Sequence, residues 1–266
     1  MLIMMPAIKL YSAYYQPFPL LPKADYVIPV QAGAETAIIK LDMQGDNTGD
    51  NISHLNNFYS ELTVAYWVIK NADRTQCDAW GLCHYRRYFI ENKYKLFIKK
   101  RSRFYYRTKQ QNLDNILTPA LYKTLQKLLI TNDVIVQRPT WARKEKGIVF
   151  NIKDAYTEAH FEEDYTAMME VVVEKFPDFS RSIEAYGQLK VMSYNNMMIA
   201  RWSVWDDYLN FLFTVLDEVQ HRINIYKEGY QTRVFGFLAE RLHNLFIYHH
   251  QLKAAHLTLG LFEDKI

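Results

Sequence analysis

The sequence is poor in the features that define several large classes of protein. Its 266 residues include two cysteines, Cys77 and Cys83, which is too few for a disulfide framework and does not suggest a zinc site with paired thiolates. We expect both thiols to be reduced, as they are in the cytosol. No run approaches the roughly 18 apolar residues of a membrane-spanning helix, and the apolar start at 1–6 is too short for a secretory signal peptide. These features predict a cytoplasmic protein, either soluble or peripheral at the inner face of the cell membrane.

Three common signatures of catalytic chemistry are also missing. The sequence has no Gly-x-Gly-x-x-Gly dinucleotide loop and no phosphate-binding Gly-Lys-Ser/Thr loop. It has no Gly-x-Ser-x-Gly nucleophile elbow either. Hydride transfer, ATP hydrolysis and serine-esterase chemistry therefore lack their usual support in the sequence.

The most informative segment runs from 80 to 89, where an apolar stretch ends in His84, Tyr85, Arg86 and Arg87. Such a run predicts a buried strand that carries polar groups at its carboxyl end. Ligands bind beside the carboxyl ends of strands in open α/β sheets, and the rigid fork of donors on each arginine suits a diphosphate or another dense anion. The alternative is a solvated strand end whose arginines pair with surface carboxylates.

Hydrophobic periodicity predicts one α/β domain with a helical C-terminal part. The predicted strands cover 7–13, 26–30, 79–83, 133–137 and 195–201, and the predicted helices cover 54–71, 113–130, 152–176, 180–191, 204–222 and 235–250. A strand, a helix and a second strand follow one another near the start, which is typical of a parallel sheet. We expect a strand-rich part at about 7–140 and a helical part at about 150–266.

The charge of the chain is unevenly placed. The net charge is only +3, so the chain as a whole does not indicate nucleic-acid binding. The segment 93–109 nevertheless carries eight basic residues and no acidic one, interleaved with aromatic residues. This pattern suits an anionic membrane surface or single-stranded nucleic acid, and it also fits a solvated loop.

Several other side chains are candidates for a site, each with a structural alternative. Glu61 lies on the predicted helix before the key strand, where it either orients the arginine pair or faces solvent. Asn195 and Asn196 precede a strand, where they either bind sugar hydroxyls or cap a turn. Glu240 either acts as a general base toward a hydroxyl or forms a structural ion pair with Arg241.

The loop 42–50 contains a spaced set of acidic residues, Asp42, Asp46 and Asp50. Their spacing suggests oxygen ligands for a cation, but the glycine and the terminal glutamate of an EF-hand are absent. A loop rich in Gly, Asp and Asn is more often a turn.

Taken together, the motifs resemble the domain-of-unknown-function 4422 family of bacterial glycosyltransferases from capsule, exopolysaccharide and O-antigen clusters. The matching segments, in chain order, are 50–53 with Asn56, 61–63 with 66–67 and 70–71, 81–89, 196–199, Arg233, 236–237 and 240–242. The His-Tyr-Arg-Arg segment is the most specific of them.

The resemblance implies a nucleotide-sugar-dependent transferase with a Rossmann-like fold of the GT-A type. It also implies a cytoplasmic active site that uses a nucleotide-diphosphate sugar, UDP-linked, and a lipid-linked oligosaccharide acceptor. Galactosyl transfer, including transfer of the furanose form, is the best-known chemistry of the family. On this basis 7–140 becomes the donor-binding part and 150–266 the acceptor side, and the basic stretch 93–109 is expected to rest on the anionic inner leaflet.

The resemblance and the residue patterns together assign roles to individual positions. Glu240 is the expected catalytic base, and the acceptor side includes Arg233 and Arg241. The first strand should hold the base and ribose, and the phosphates should meet the His-Tyr-Arg-Arg segment. The full set of expected donor-binding residues is Tyr11, Ser12, Ala13, Asn51, Ser53, Asn56, Glu61, His84, Tyr85, Arg86, Arg87, Asn195 and Asn196.

The family pattern leaves the metal requirement open. The Asp-x-Asp motif that is usual in GT-A enzymes is not evident, so Mn²⁺ or Mg²⁺ is a possible cofactor without an identified ligand set, and the two arginines can neutralise the leaving diphosphate directly. Two other classes of function stay open: a nucleic-acid-binding module built on 93–109, although no nucleic acid is expected, and a non-catalytic scaffold of a polysaccharide assembly complex.

Overall fold

A nine-stranded mixed β-sheet organises the computed structural model, which describes residues 4–91 and 101–264. The described strands, in chain order, are β1 (Ile8–Tyr14), β2 (Val27–Gln31), β3 (Gln44–Gly45), β4 (Ala79–His84), β5 (Arg87–Ile90), β6 (Arg103–Tyr106), β7 (Val134–Gln137), β8 (Thr140–Trp141), β9 (Arg143–Glu145), β10 (Ile148–Phe150), β11 (Val191–Met192), β12 (Met198–Arg201) and β13 (Ala254–Phe262). Two small sheets stand apart from the main one, one formed by β9 and β10 and the other by β8 and β11.

Helices cover both faces of the sheet. The described α-helices are α1 (Asn56–Tyr59), α2 (Leu62–Asn71), α3 (Gln110–Asp114), α4 (Pro119–Thr131), α5 (Ile152–Thr157), α6 (Glu162–Lys175), α7 (Ser180–Gly187), α8 (Trp202–Val219) and α9 (Val234–His249). Short 3₁₀ turns occupy Ser53–Leu55, Arg74–Gln76, Pro177–Phe179 and Gly229–Arg233. In the part of the chain that the structure describes, no helix combines the length and apolar character needed to cross a bilayer.

Strand β1 lies between β2 and β4 and runs parallel to both. The register places Ser12 beside Cys83 and Ala13 beside His84. The carboxyl ends of β1, β2 and β4 therefore meet at one edge of the sheet, as the predicted β-α-β succession requires. The α/β class and the strands predicted at 7–13, 26–30, 79–83 and 133–137 are confirmed to within two residues at each end.

The C-terminal part completes the sheet instead of standing apart as helices. Strand β12 runs antiparallel between β4 and β7, while β13 is parallel to β6 and β7 and antiparallel to β5. The helices predicted at 204–222 and 235–250 are present as α8 and α9, and the strand predicted at 195–201 is present in shorter form as β12, whereas β13 lies outside the predicted strands. In β13 the alternate residues Ala255, Leu257, Leu259 and Leu261 are buried, a period of two that is typical of a strand.

Two apolar cores hold the helices against the two faces of the sheet. On one face the Trp80 ring stacks on the Trp205 ring of α8 with centroids 3.9 Å apart, and the Trp205 Nε1–H donates to the Trp80 carbonyl at 2.9 Å. On the other face α4 presents Leu121, Leu125 and Leu129, all buried, at the spacing of one helical turn. Strand β4 is buried along its whole length because both cores contact it.

Three helices predicted as continuous are interrupted. The segment 54–71 divides at Ser60, and 152–176 divides at 158–161. The segment 113–130 ends its first helix at Asp114 and resumes at Pro119, where the Thr118 hydroxyl accepts a hydrogen bond from the Leu121 backbone at 3.3 Å. Proline suits the first helical turn because its missing N–H has no intrahelical partner there.

The basic stretch 93–109 is only partly described, since 92–100 lies outside the described residues. Its later portion contributes β6, which pairs with β13. This portion therefore belongs to the main sheet and is not the solvated loop that was one alternative. The membrane and nucleic-acid interpretations of 93–109 stay predictions.

Candidate functional site

A cavity of about 350 Å³ opens at the carboxyl ends of β1, β2 and β4. We call it the strand-end cavity. Its lining residues are Ala13, Tyr15, Ala32, Asn56, Asn57, Ser60, Glu61, His84, Tyr85, Arg86, Arg87 and Arg233. The structure therefore brings together, around one cavity, the whole His-Tyr-Arg-Arg segment and four other predicted residues.

A tight turn between two strands presents the cationic residues to this cavity. Strand β4 ends at His84 and β5 begins at Arg87, and these two residues pair across the turn. The Tyr85 backbone N–H donates to the Ala13 carbonyl at 2.9 Å, which fastens the turn to the end of β1. Because the turn is short and anchored, the adjacent guanidiniums of Arg86 and Arg87 are held at one end of the cavity.

His84 uses both ring nitrogens within the protein. Its Nε2 lies 2.7 Å from the Asn195 carbonyl oxygen, which can only accept, so Nε2 carries the proton. Its Nδ1 lies 3.3 Å from Arg87 Nη1 and accepts from it. Burial lowers the pKa of His84 to about 4, which keeps the ring neutral at pH 7. The imidazole therefore positions Arg87 and has no free N–H directed at the cavity.

Neither arginine is neutralised by a close carboxylate. Arg86 Nη1 lies 3.8 Å from Glu263 Oε1, which is a long, partly exposed contact. Arg87 makes no ion pair with any described residue, and burial together with the charge of Arg86 lowers the pKa of its guanidinium. Two adjacent cations that lack a close counter-ion favour a bound anion in the cavity.

Glu61 lies at the break between α1 and α2. Ser60 has a backbone φ of +52°, which is uncommon for a residue other than glycine, and this ends α1 and turns the chain. The Glu61 side chain is only 8% exposed, and its Oε1 accepts from Asn196 Nδ2 at 2.8 Å. The predicted exposed position within a continuous helix is therefore wrong, because the interruption buries this carboxylate.

The guanidinium nearest to Glu61 belongs to Arg233, with Nη2 3.7 Å from Oε2. Arg233 Nε also donates to the Ser60 hydroxyl at 2.9 Å, so this side chain spans the helix break. Burial raises the pKa of Glu61, but the His84 ring, as it gains a proton in acid, the Asn196 amide and Arg233 together hold this pKa below its usual value. Glu61 is therefore ionised, and its ion-pair partner is Arg233 instead of the predicted Arg86 and Arg87 pair.

The Asn195–Asn196 turn joins the strand-end cavity to a neighbouring one. Both residues have positive φ, 74° and 50°, a conformation that asparagine tolerates better than most residues. The Asn195 backbone N–H donates to Glu240 Oε1 at 2.7 Å, on the opposite side from its bond with His84. The side-chain amides bond to Gln137 and to Glu61, as the turn alternative predicts, so these amides are engaged within the protein.

The neighbouring cavity has a volume of about 540 Å³, and we call it the second cavity. It is lined by Arg103, Ala142, Arg143, Ala155, Glu158, Ala159, His160, Tyr194, Asn195, Tyr230, Phe237, Glu240 and Arg241. The sequence indicated only Asn195, Glu240 and Arg241 of this set as site residues. The others come from separate segments that no local pattern connects.

Glu240 and Arg241 form one wall of the second cavity. Arg241 Nη1 lies 3.1 Å from Glu240 Oε2 and donates to the Phe237 carbonyl at 3.0 Å, and the guanidinium lies over the Tyr156 ring at 4.8 Å. The predicted ion pair is therefore present. Burial nevertheless raises the pKa of Glu240, which brings this carboxyl closer to neutral pH than an exposed one.

Six predicted donor-binding residues lie outside the lining of the strand-end cavity: Asn195 and Asn196, described above, and Tyr11, Ser12, Asn51 and Ser53. Tyr11 is buried, with its ring centroid 5.9 Å from that of Trp80, and Ser12 is buried with its hydroxyl 3.1 Å from the Tyr88 hydroxyl. Asn51 Oδ1 accepts from the Ser53 backbone at 3.1 Å. Ser12, Asn51 and Ser53 belong to the framework because their side chains form hydrogen bonds within it, and Tyr11 belongs to it through its ring contact.

The loop 42–50 closes on itself through Asp46. This fully buried carboxylate accepts from the backbone N–H groups of Gly33 and Ala34 at 2.9 and 3.0 Å and from the Ser53 hydroxyl at 2.5 Å. Asp50 instead accepts from the Tyr66 hydroxyl at 3.0 Å. The metal-loop hypothesis is wrong here, since the acidic residues serve the turn. Within 4–91 and 101–264, no group of three His, Cys, Asp or Glu side chains could hold a metal ion.

Some lining residues were missed although the sequence carried a signal for them. Tyr15 lies two residues after the first predicted strand and directly after β1, and Asn57 follows Asn56 at the helix entrance. Ser60 and Ala32 gave no signal, because a residue in a helical pattern and an alanine after a strand are both common. Residues that directly follow parallel strands merit inspection in any sequence of this type.

Comparisons with known proteins identify the family of the chain and a solved structure with a similar fold. Residues 9–251 match the family described as a domain of unknown function, DUF4422. The fold is similar to the apo structure of the bifunctional glycosyltransferase WbbM, with a TM-score of 0.86 and 27% sequence identity over 97% of this chain and 45% of that chain. The chain thus spans less than half the length of WbbM. No curated protein matches the sequence.

Proposed function

Since the chain belongs to the DUF4422 family, we propose that it is a glycosyltransferase that moves a sugar from a nucleotide-diphosphate donor to a glycan acceptor. The strand-end cavity would take the donor and the second cavity the acceptor. The finer assignment follows the family resemblance: a UDP-linked hexose, galactosyl in its pyranose or furanose form, and a lipid-linked oligosaccharide of a bacterial surface polysaccharide. The similarity to WbbM supports the reaction class.

The observation that carries the proposal is the pair of adjacent guanidiniums at the carboxyl end of β4. Arg87 has no ion-pair partner among the described residues, and Arg86 has only a distant one. A diphosphate would supply both with charge-assisted hydrogen bonds. Such an anion offsets the repulsion between the two cations, and its negative charge increases as the sugar leaves, so the same contacts stabilise the transition state.

The two buried carboxylates suit different tasks. Glu61, held ionised near Arg233, would stabilise positive charge that develops on the sugar ring. Glu240, with its raised pKa, is better matched to proton transfer near neutral pH. Opposite pKa shifts on two neighbouring carboxyl groups are a recognised indication of divided roles.

The proposed reaction is then a displacement at the anomeric carbon. The acceptor hydroxyl oxygen forms the new bond to that carbon while the bond to the diphosphate oxygen breaks and its electron pair leaves with the diphosphate. The hydroxyl proton passes to Glu240. His84 contributes by fixing Arg87, because its Nδ1 accepts a hydrogen bond from Arg87 Nη1 at 3.3 Å. The metal requirement stays a prediction, and no step is assigned to Mn²⁺ or Mg²⁺; among the described residues no group of three or more His, Cys, Asp or Glu side chains could hold a metal ion.

Calorimetry with UDP-sugars, with and without Mn²⁺, tests the donor site directly. Arg87→Ala should weaken binding of the productive UDP-sugar about 10- to 100-fold, the range for losing hydrogen bonds to a charged group. Arg181→Ala provides the matched control, because Arg181 is exposed on α7 and lies outside the lining of the strand-end cavity. Equal affinity of Arg87→Ala and the unaltered chain for the nucleotide would overturn the phosphate role.

A further inference from the structure

A β-hairpin, formed by β9 and β10, and the strand pair formed by β8 and β11 lie beside the second cavity. Strands β9 and β10 pair in register from Arg143–Phe150 to Glu145–Ile148, and the connecting residues Lys146 and Gly147 have positive φ of 47° and 87°. Space around Gly147 is open, since a side chain placed there would meet no atom within 4 Å. The hairpin tip is therefore free to contact another surface.

Large apolar side chains on these strands face solvent. Trp141 is 52% exposed, Ile148 is 62% exposed, and Val191 is 43% exposed. Val191 lies directly opposite Trp141 in the β8–β11 pair. A half-exposed tryptophan next to exposed aliphatic groups is unfavourable in water, and indole rings partition well into the headgroup region of a bilayer.

Three lysines lie in the same segments as these apolar groups, with Lys144 on the opposite face of the hairpin from Ile148. Lys144, Lys146 and Lys190 are exposed, and none of them forms an ion pair with a described residue. The single carboxylate of the hairpin, Glu145, is paired with Arg143 at 2.8 Å. Uncompensated positive charge beside exposed apolar groups is complementary to an anionic lipid surface.

We propose that this basic hairpin surface (Trp141, Lys144, Lys146, Ile148, Lys190 and Val191) docks on an anionic lipid bilayer. Trp141 and Ile148 would enter the headgroup region while the three lysines meet lipid phosphates. Ala142 and Arg143 of the same segment line the second cavity, so docking would bring that cavity to the membrane. The benefit to catalysis rests on the proposed function, since only a lipid-linked acceptor gains from this placement.

Cosedimentation of the full chain with vesicles measures docking without any turnover. The chain should bind vesicles of phosphatidylcholine mixed with phosphatidylglycerol and leave phosphatidylcholine alone unbound. The double variant Lys144→Gln with Lys146→Gln should weaken partitioning about 30-fold, because each lysine near an anionic surface contributes about 1 kcal/mol. The matched control is Lys123→Gln with Lys127→Gln, two exposed lysines one turn apart on α4, which should bind like the unaltered chain.

Tryptophan fluorescence gives a second, independent measurement. The sequence has five tryptophans, and Trp141 is the one that is more than a third exposed. Its fluorescence emission should therefore shift to the blue when anionic vesicles are added. Trp141→Ser should abolish the shift, and Ile38→Ser, at a fully exposed position elsewhere, should keep it. Absence of binding to the vesicles that contain phosphatidylglycerol, or an equal loss of binding in the α4 control, would overturn docking. Neither result affects the donor measurement, which is made without lipid.

Discussion

Glu61 and Glu240 lie on opposite sides of the Asn195–Asn196 turn, and burial acts on both of them. Around Glu61 the His84 ring, the Asn196 amide and the Arg233 guanidinium counter that burial, and its pKa is lowered. Around Glu240 the Arg241 guanidinium and the Asn195 backbone N–H do not offset burial, and its pKa is raised. Two buried carboxyl groups therefore have pKa values shifted in opposite directions. The difference shows that the neighbouring groups, and not burial alone, decide the direction of each pKa shift.

Replacing the carboxyl groups one at a time gives the sharpest test of this contrast. Glu240→Gln should lower turnover about 100- to 10,000-fold, the usual contribution of a general base, while the donor affinity in calorimetry stays unchanged. In the unaltered chain, activity should fall as the pH drops through the raised pKa of Glu240.

Glu61→Gln is the matched variant for that experiment. It should keep the acidic limb of the pH–rate profile, because Glu240 still titrates, and should lose activity by a pH-independent factor. Loss of the limb in Glu61→Gln and its survival in Glu240→Gln would reverse the assignment of the two roles.

Asn196 donates a side-chain hydrogen bond to Glu61, which is one of the contacts that lower the pKa of this carboxyl group. Asn196→Ala removes the donor at 2.8 Å from the carboxylate and places alanine at a φ of +50°. We expect the free energy of unfolding to fall by about 3 kcal/mol, as for a lost hydrogen bond to a buried charge. Urea denaturation measures this change.

Asn57→Ala serves as the comparison, because Asn57 is exposed at the cavity rim and such substitutions change stability by about 0.5 kcal/mol or less. Equal losses in the Asn57 and Asn196 variants would show that the amide of Asn196 does not support the charge of Glu61.

His84 makes the strand-end side sensitive to acid. Its pKa is about 4 in the folded chain and about 6.5 when unfolded, so between these values the unfolded chain binds more protons. The stability contribution of a neutral His84 is complete above about pH 6.5 and is lost as the pH falls toward 4. Between pH 7 and pH 5, His84→Gln should lose about 2 kcal/mol less unfolding free energy than the unaltered chain.

Denaturation curves at the two pH values check this, with His54→Gln as the control, since His54 is exposed. The same pH response in the unaltered chain and in His84→Gln would contradict a neutral, buried imidazole at this position.

The aromatic wall of the second cavity should give the smallest effect. Tyr230 is 66% exposed, and its ring centroid lies 4.8 Å from that of Phe237. Tyr230→Ala should raise the KM for the acceptor by a factor of about 5, which corresponds to about 1 kcal/mol of ring stacking. The donor KM should not change. A change in the donor KM alone would place the acceptor elsewhere.

The strand-end cavity could be predicted and the second cavity could not, for a physical reason. His84 to Arg87 are contiguous and follow an apolar strand, so local pattern places them at the edge of the sheet. The second cavity is assembled from Arg103, Ala142, His160, Tyr194 and Tyr230 among others, residues that meet only after the helices pack. Contacts between such distant segments leave no periodic trace in the sequence.

Two features of the fold show where the local sequence pattern misleads and where it is sufficient. Ser60 lies in a run with helical spacing, yet its hydroxyl accepts from Arg233, far along the chain, and the helix breaks there. This long-range contact could not be read locally. The alternation at 255–261, in contrast, was visible in the sequence and predicts the strand β13 without any structure.

Asn195 accepts a hydrogen bond from His84 through its carbonyl and donates one to Glu240 through its N–H. A ligand that displaces Arg87, together with the His84 ring bonded to it, would therefore displace Asn195 and, through it, the Glu240 carboxylate in the second cavity. If that displacement occurs, thermodynamic reciprocity requires the nucleotide and the glycan to alter each other's affinity by the same factor. The Asn195 backbone thus connects the imidazole of the strand-end cavity to the carboxylate of the second cavity through two hydrogen bonds.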